Sequence, residues 1–302
     1  MFQVHINSSI ISLGIGTSFS CRTNKSVLSL LNDWEDGRWR LTKFNDYVWD
    51  NMAETALSYR ERDALAGNPR QLLRAAAQKL RLIESDEDTG AGGELAEALL
   101  YGILKDQYQA IPVVPKIFYK QNTNDYAKGS DSVHIVLIPP DDFSIWFGEA
   151  KFFNSIEDVR LDKVTTSVLN SLNTDKLKKE NSIVTSLSDL DQMVPHDLAG
   201  KIKSALEPKN SIDTIKDKIH IPILLLHECA VTKRATALDS TYLSEIERIH
   251  KERAEVYFRK QLNKLASVFK YNCIQFHLIL FPVPDKSELI ELFKRETLGL
   301  RG

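Results

Sequence analysis

Residues 131–152 read DSVHIVLIPPDDFSIWFGEAKF, and this stretch decides the fold of the second half of the chain. β-Branched and aromatic residues make up about half of 131–138 and of 143–152, as is typical of β-strands. Between these halves, Pro139-Pro140-Asp141-Asp142 has the composition of a tight turn. The stretch therefore predicts an antiparallel β-hairpin.

Three ionisable side chains stand at the open end of this hairpin. Residues two apart on a strand share a face, so Glu149 and Lys151 project together while Ala150 turns away. Antiparallel pairing sets the start of one strand beside the end of the next, which places Asp131 next to them. Two carboxylates suit Mg²⁺, and an ammonium can orient a water or stabilise an anionic transition state. The pattern indicates metal-dependent phosphodiester hydrolysis.

The Glu-x-Lys triplet is a weak signal alone, and it occurs twice. Glu207-Pro208-Lys209 contains a proline and lies at a predicted helix end, so we discard it. Glu149-Ala150-Lys151 also has a non-catalytic interpretation, namely a solvated pair of opposite charges on one strand face. Its place at the end of an apolar strand, where α/β enzymes build sites, favours the catalytic interpretation.

A helix and a further strand precede the hairpin. Glu94 begins a compact apolar helix that runs to Leu104, after Gly92-Gly93, and Ile111–Tyr119 reads as a strand. A carboxylate in the first helical turn is compatible with the helix dipole, and Glu94 could supply another carboxylate to the same metal site. The predicted order is helix, strand, strand, strand.

The N-terminal part of the chain predicts mainly helices. Helical spacing of apolar residues covers Val27–Trp34, Phe44–Ala66 and Arg70–Ile83. The acidic and glycine-rich run at 84–93 predicts an exposed connection. We therefore divide the chain into a mainly helical region, 1–85, which is a possible docking region for a partner, and an α/β domain, 86–302. Aromatic residues of the first region are expected mostly in its core.

The remainder of the second region alternates helices with apolar strands. Ile219–His227 predicts a buried central strand and Ile274–Phe281 another. Helices are expected at Ser155–Leu190 with breaks, at Leu198–Leu206, at Tyr242–Phe269 and after Pro284. His227, at the end of its strand, is expected to be a structural histidine because no metal-ligand spacing accompanies it.

Composition limits the function classes. Cys21, Cys229 and Cys273 form no CxxC pair, which argues against a disulfide framework or a cysteine zinc site and fits a reducing cytoplasm. The N-terminus does not resemble a signal peptide, and no apolar run reaches the roughly 20 residues that span a bilayer, so no membrane association is expected.

The net charge of −2 gives no positive support for nucleic-acid binding. If DNA is the substrate, a local basic groove or a partner must supply much of the positive charge that binds its phosphates. Lys116, Lys120 and Lys128 precede Asp131 and flank the proposed site, where they could contact phosphates. The sequence has no GxxxxGK[ST] phosphate loop, so any ATP-driven step must come from another protein.

Three segments carry a resemblance to a known family: Gly93-Glu94-Leu95, Lys128-Gly129-Ser130-Asp131 and the Trp146–Phe152 strand end. Together they resemble the restriction-endonuclease-like, PD-(D/E)xK superfamily, and more closely the nuclease subunits of Hachiman anti-phage defence systems. The match covers about residues 90–155. One departure is Ser130, which stands where the motif has proline.

The resemblance implies a restriction-endonuclease-like core of helix, three-stranded meander, helix and further strands. It implies that Asp131 and Glu149 bind Mg²⁺, for which Mn²⁺ would substitute, with the Ala150 carbonyl as a further ligand and Glu94 as the helix carboxylate. Lys151 would position the attacking water. It further implies DNA as substrate and a helicase partner from the same operon that restrains the nuclease.

Two other functions remain open at this point. One is a nuclease-like scaffold that regulates a helicase without cutting. The other is a site-specific restriction endonuclease, for which no base-reading element is visible in the sequence.

Overall fold

A mixed, seven-stranded sheet forms the centre of the protein. The computed structural model describes residues 1–15, 23–82, 91–119, 129–186 and 190–302. The strands of the sheet are β1 Gln3–Ser9, β2 Lys25–Leu31, β5 Ile111–Val114, β6 Ser132–Ile138, β7 Asp142–Phe153, β8 Ile219–Glu228 and β9 Gln275–Val283. A separate two-stranded ribbon consists of β3 Trp34–Glu35 and β4 Arg38–Trp39.

Helices cover both faces of this sheet. They are α1 Leu41–Ala56, α2 Tyr59–Ala64, α3 Pro69–Lys79, α4 Ala91–Tyr108, α5 Lys116–Tyr119, α6 Asp158–Ser171, α7 Thr174–Ser186, α8 Leu190–Met193, α9 His196–Leu206, α10 Ala230–Arg234, α11 Ser240–Leu265 and α12 Lys286–Arg301. Within the described ranges, no helix combines the length and apolarity needed to cross a bilayer.

The strand order is β1-β2-β9-β8-β7-β6-β5. The four central strands, β2, β9, β8 and β7, are parallel, and the outer strands pair antiparallel. β6 and β7 pair from Ser132 with Gly148 to Ile138 with Asp142, which confirms the predicted hairpin. The mixed α/β class is confirmed.

Both faces of the sheet are buried, which explains the near-continuous apolar runs of its central strands. On one face, Phe147, Ile223 and Phe258 belong to a core shared with α6, α9 and α11. On the other face, Trp146, Leu224 and Phe293 belong to a core shared with α1, α4 and α12. Strand β7 thus carries its functional side chains between two packed layers.

The N-terminal region differs from the prediction. Its predicted helices beyond residue 41 are present as α1 to α3, but Val27–Trp34 was predicted as a helix and this was wrong, since Lys25–Leu31 is strand β2. The apolar residues of β2 are buried because this strand lies between β1 and β9 inside the sheet. A run buried on both faces has no clear period, so helix and strand look alike in sequence.

The two predicted regions share one sheet. Strand β2 pairs in parallel with β9, near the end of the chain. The predicted boundary at residues 85 and 86 lies outside the described residues. Trp49 is buried in the α1 core, and Trp39 and Tyr47 pack against it, as expected of core aromatics.

The predicted strand Ile111–Tyr119 is shorter than expected. It ends at Val114, and α5 begins at Lys116. Pro115, between them, lacks a backbone donor for the sheet and has the fixed φ of a helix start.

Candidate metal-dependent active site

The hairpin brings Asp131 to the Glu149–Lys151 pair, as predicted. The Asp131 amide donates to the Gly148 carbonyl at 2.7 Å, and the Ala150 amide donates to Asp131 Oδ2 at 3.0 Å. Gly148 allows this close packing, because a Cβ there would lie 2.1 Å from Ser132 Oγ and 2.8 Å from a Leu100 methyl. The carboxylate of Asp131 is therefore held against the backbone of β7.

The Lys151 ammonium contacts three oxygen atoms. Its Nζ lies 2.6 Å from Glu149 Oε1, 3.3 Å from Asp131 Oδ2 and 3.2 Å from the Ala150 carbonyl oxygen. The Glu149 side chain is almost fully buried, whereas the side chains of Lys151 and Asp131 are 24% and 15% exposed. One positive charge thus contacts, at a partly open edge, the oxygens of three of the four residues that the resemblance implies as ligands, Glu94 being the fourth.

Negative charge exceeds positive charge at this edge. Burial raises the pKa of Glu149, and the neighbouring Asp131 charge raises it further, while Lys151 and Ser167 oppose the shift. Burial alone would lower the pKa of Lys151, but the Asp131 and Glu149 carboxylates raise it above its ordinary value. Two carboxylates facing one ammonium leave a net charge of −1 (−2 from the acids, +1 from the lysine), which favours a further cation.

Ser167, on α6, is a site residue that the sequence did not reveal. Its hydroxyl donates a 2.5 Å hydrogen bond to Glu149 Oε1. Serine is a common residue on helices, and nothing in its spacing from Glu149 marks it. Only the packing of α6 against β7 brings the two side chains together.

The helix carboxylate that interacts with Lys151 is Glu97, one turn after Glu94. Glu97 is buried, and its charge contributes to the raised pKa of Lys151. Glu94 instead accepts hydrogen bonds from the backbone amides of Arg81, at 2.7 Å, and Leu82, at 3.2 Å. These bonds join Glu94 to the chain after α3, so its role as a ligand stays a prediction. A glutamate within an apolar helix was the available signal for Glu97.

Lys116 was predicted to contact nucleic acid, and the structure corrects this assignment. Its side chain is fully buried and its Nζ lies 2.5 Å from Glu180 Oε2, so a phosphate on the surface cannot reach it. The ammonium pairs with Glu180 on α7, and the Lys116 amide donates to the Tyr101 hydroxyl on α4 at 3.3 Å. Lys120 and Lys128 lie outside the described residues.

The donor set fits Mg²⁺ with two protein carboxylates. Within the described part of the chain, no group of three His, Cys, Asp or Glu residues is arranged to hold a metal ion. Mg²⁺ commonly takes one or two carboxylates and fills its other positions with water and phosphate oxygens. Asp131, Glu149 and the Ala150 carbonyl offer only hard oxygen donors, and the Lys151 ammonium contacts all three.

Two histidines of the sheet, His227 and His134, are buried among other side chains. His227 Nε2 lies 3.3 Å from His250 Nε2 in the buried region between β8 and α11, in keeping with the structural role expected for it. His134, on β6, is fully buried against the Tyr101 ring.

A comparison with protein-family models matches residues 9–297 to the family described as HamA. No curated protein matches the chain. The match spans both predicted regions and includes every residue of the site.

Proposed function

The chain belongs to the HamA family, which serves Hachiman anti-phage defence, and on this premise we propose that it is a Mg²⁺-dependent nuclease that cleaves DNA. The observation that carries the proposal is the convergence of Asp131 Oδ2, Glu149 Oε1 and the Ala150 carbonyl on Lys151 Nζ. Family membership gives the defence role, and the site supports the chemistry.

The order of elements around the site supports a restriction-endonuclease-like core. Helix α4 precedes the antiparallel strands β5, β6 and β7, and α6 and the parallel strand β8 follow. This is the helix, meander, helix and strand order that the resemblance implies. Asp131 directly precedes β6, Glu149 lies on the adjacent strand β7, and Glu97 lies on α4.

Each residue of the site has a distinct task in the proposed reaction. Asp131, Glu149 and the Ala150 carbonyl would hold Mg²⁺, which supplies Lewis acidity and neutralises phosphate charge when bound. The raised pKa of Lys151 keeps its side chain protonated at neutral pH, so it acts as a hydrogen-bond donor and charge stabiliser rather than as a base. Ser167 holds Glu149 Oε1 in place.

We propose a helicase partner for this nuclease. The chain has no phosphate loop of its own, so ATP-driven work on DNA requires a second protein. Because its net charge is −2, a partner would also supply much of the positive surface that binds DNA. The partner would control when the nuclease engages DNA.

Purified protein tests the nuclease proposal, alone and mixed with a helicase encoded beside it. Supercoiled plasmid with Mg²⁺ or Mn²⁺ should be nicked or degraded, and Glu149→Ala and Lys151→Ala should abolish cleavage. Lys201→Ala is the matched control, since Lys201 forms an exposed ion pair with Asp141 at the far end of the same hairpin. Wild-type cleavage by a folded Lys151→Ala protein would overturn the proposal.

A second candidate is a non-cutting subunit that regulates a helicase. It is favoured by the ammonium of Lys151, which already contacts both carboxylates. Direct titration with Mn²⁺ separates the two candidates. Binding that is lost in Asp131→Asn supports the nuclease, and no binding by the wild-type protein supports the regulatory subunit.

A further inference from the structure

A buried ion pair lies next to the segment that leads into Asp131. Lys116 Nζ lies 2.6 Å from Glu180 Oε1 and 2.5 Å from Oε2, and both residues are buried. Removing two charges from water is costly, and a buried pair is often no more stabilising than an apolar replacement. Its contribution to stability alone therefore does not account for it.

Glu180 also holds the backbone that leads into Asp131. The Ser130 amide donates to Glu180 Oε1 at 3.1 Å, in a buried environment. The carboxylate lies so close to Gly129 that a Cβ there would be 1.8 Å from Oε1. The next amide, that of Asp131, donates to the Gly148 carbonyl on β7. Two consecutive amides are thus bonded to two different elements, one to α7 and one to β7.

This double attachment sets the position of the Asp131 carboxylate. Asp131 precedes β6, and both its own amide and its side chain are bonded to β7. Without the bond from Ser130 to Glu180, the approach to Asp131 would lose its anchor on the other side. Lys116 determines where the Glu180 carboxylate sits, because it contacts both oxygens.

We propose that Glu180 is a positioning residue for Asp131 and that Lys116 fixes Glu180 in that role. The inference rests on the proposed function, in which Asp131 binds the metal. Glu180 acts through the Ser130 backbone rather than on the metal or on DNA. Outer residues that orient metal ligands commonly change metal affinity by about 10- to 100-fold when they are replaced.

Mn²⁺ binding by the full-length protein tests the inference, with free Mn²⁺ measured by electron paramagnetic resonance. Glu180→Gln should weaken binding by about tenfold or more. Glu54→Gln is the matched control, because Glu54 pairs with Lys105 at 2.9 Å between α1 and α4. It should leave Mn²⁺ affinity unchanged. Glu180→Gln protein that is folded and binds Mn²⁺ as the wild type does would overturn the inference.

A second variant and a second measurement keep the test independent of folding and of the metal. Lys116→Met/Glu180→Met removes both charges of the buried pair together, and it also removes the acceptor of the Ser130 amide. Both Glu180 variants should speed hydrogen–deuterium exchange at residues 130–131, and Glu54→Gln should not. If wild-type protein binds no Mn²⁺, the nuclease proposal fails, and the exchange rates alone then decide whether Glu180 positions Asp131. Unchanged exchange in both variants would refute it.

Discussion

The Ser167 hydroxyl donates a 2.5 Å hydrogen bond to Glu149 Oε1, and this bond joins α6 to the proposed active site. Lys151 contacts the same oxygen at 2.6 Å. Glu149 Oε1 therefore has two donors, one neutral and one charged. Both lower the pKa of a carboxyl group that burial and Asp131 raise. The state of Glu149 thus depends on residues from two different elements.

Replacing Ser167 should change the pH dependence of cleavage. Ser167→Ala removes a donor that lowers the pKa of Glu149, so that pKa rises further and the acidic limb of the pH–rate profile moves to higher pH. Cleavage at neutral pH should fall by about tenfold. Ser171→Ala is the control, since the Ser171 hydroxyl bonds only the Val168 carbonyl of its own helix among the contacts described. An unshifted profile in Ser167→Ala would contradict this role.

The two helix glutamates should behave differently. Glu97→Gln removes a charge that interacts with Lys151, so cleavage should fall while stability changes little. Glu94→Gln weakens the bonds from the Arg81 and Leu82 amides, which should cost about 1 kcal/mol in urea unfolding and leave cleavage nearly intact. The reverse result, loss of cleavage only in Glu94→Gln, would restore Glu94 as the carboxylate of the site.

Breaking the Lys116–Glu180 pair from one side should be costly. Glu180→Leu leaves the Lys116 ammonium buried without this partner, and we expect a loss of about 3–5 kcal/mol in the free energy of unfolding. The Lys116→Met/Glu180→Leu double variant should lose clearly less, because both charges of the pair are then removed from the interior. Urea denaturation of the single and double variants measures the difference. Equal losses would indicate that the pair does not interact.

Stability should fall in mild acid because of buried histidines. Burial lowers the pKa of His227 to about 4 and that of His134 to about 3. The unfolded chain binds protons near pH 6.5, so the folded state is favoured fully above that pH and loses stability as the pH falls toward 4. Each such histidine contributes up to about 1.4 kcal/mol per pH unit in this window.

Calorimetry between pH 7.5 and 5.5 should therefore show a falling Tm. His134→Phe should flatten this dependence, because the His134 ring nitrogens have no hydrogen-bond partner among the described residues and the ring packs on Tyr101. His196→Asn, at an exposed position, serves as the control. A Tm that does not vary over this range would contradict the prediction.

Local pattern was sufficient for the hairpin and for most of the site. Period-two alternation, the turn at 139–142 and the rule that residues two apart share a face placed Asp131 beside Glu149 and Lys151. These relationships depend on neighbouring residues and on the geometry of one hairpin. For the same reason, most helices after residue 155 and strands β8 and β9 were predictable.

Tertiary structure decided the features that depend on contacts between distant segments of the chain. Val27–Leu31 became a strand because β9 lies beside it, and Lys116 became buried because Glu180 on α7 neutralises it. Glu97 raises the pKa of Lys151, whereas Glu94 accepts hydrogen bonds from the Arg81 and Leu82 amides that follow α3. Sequence by itself determined which groups can do the chemistry; the packing of α4, α6 and α7 determined which of them meet, since burial and pairing depend on residues far away in the chain.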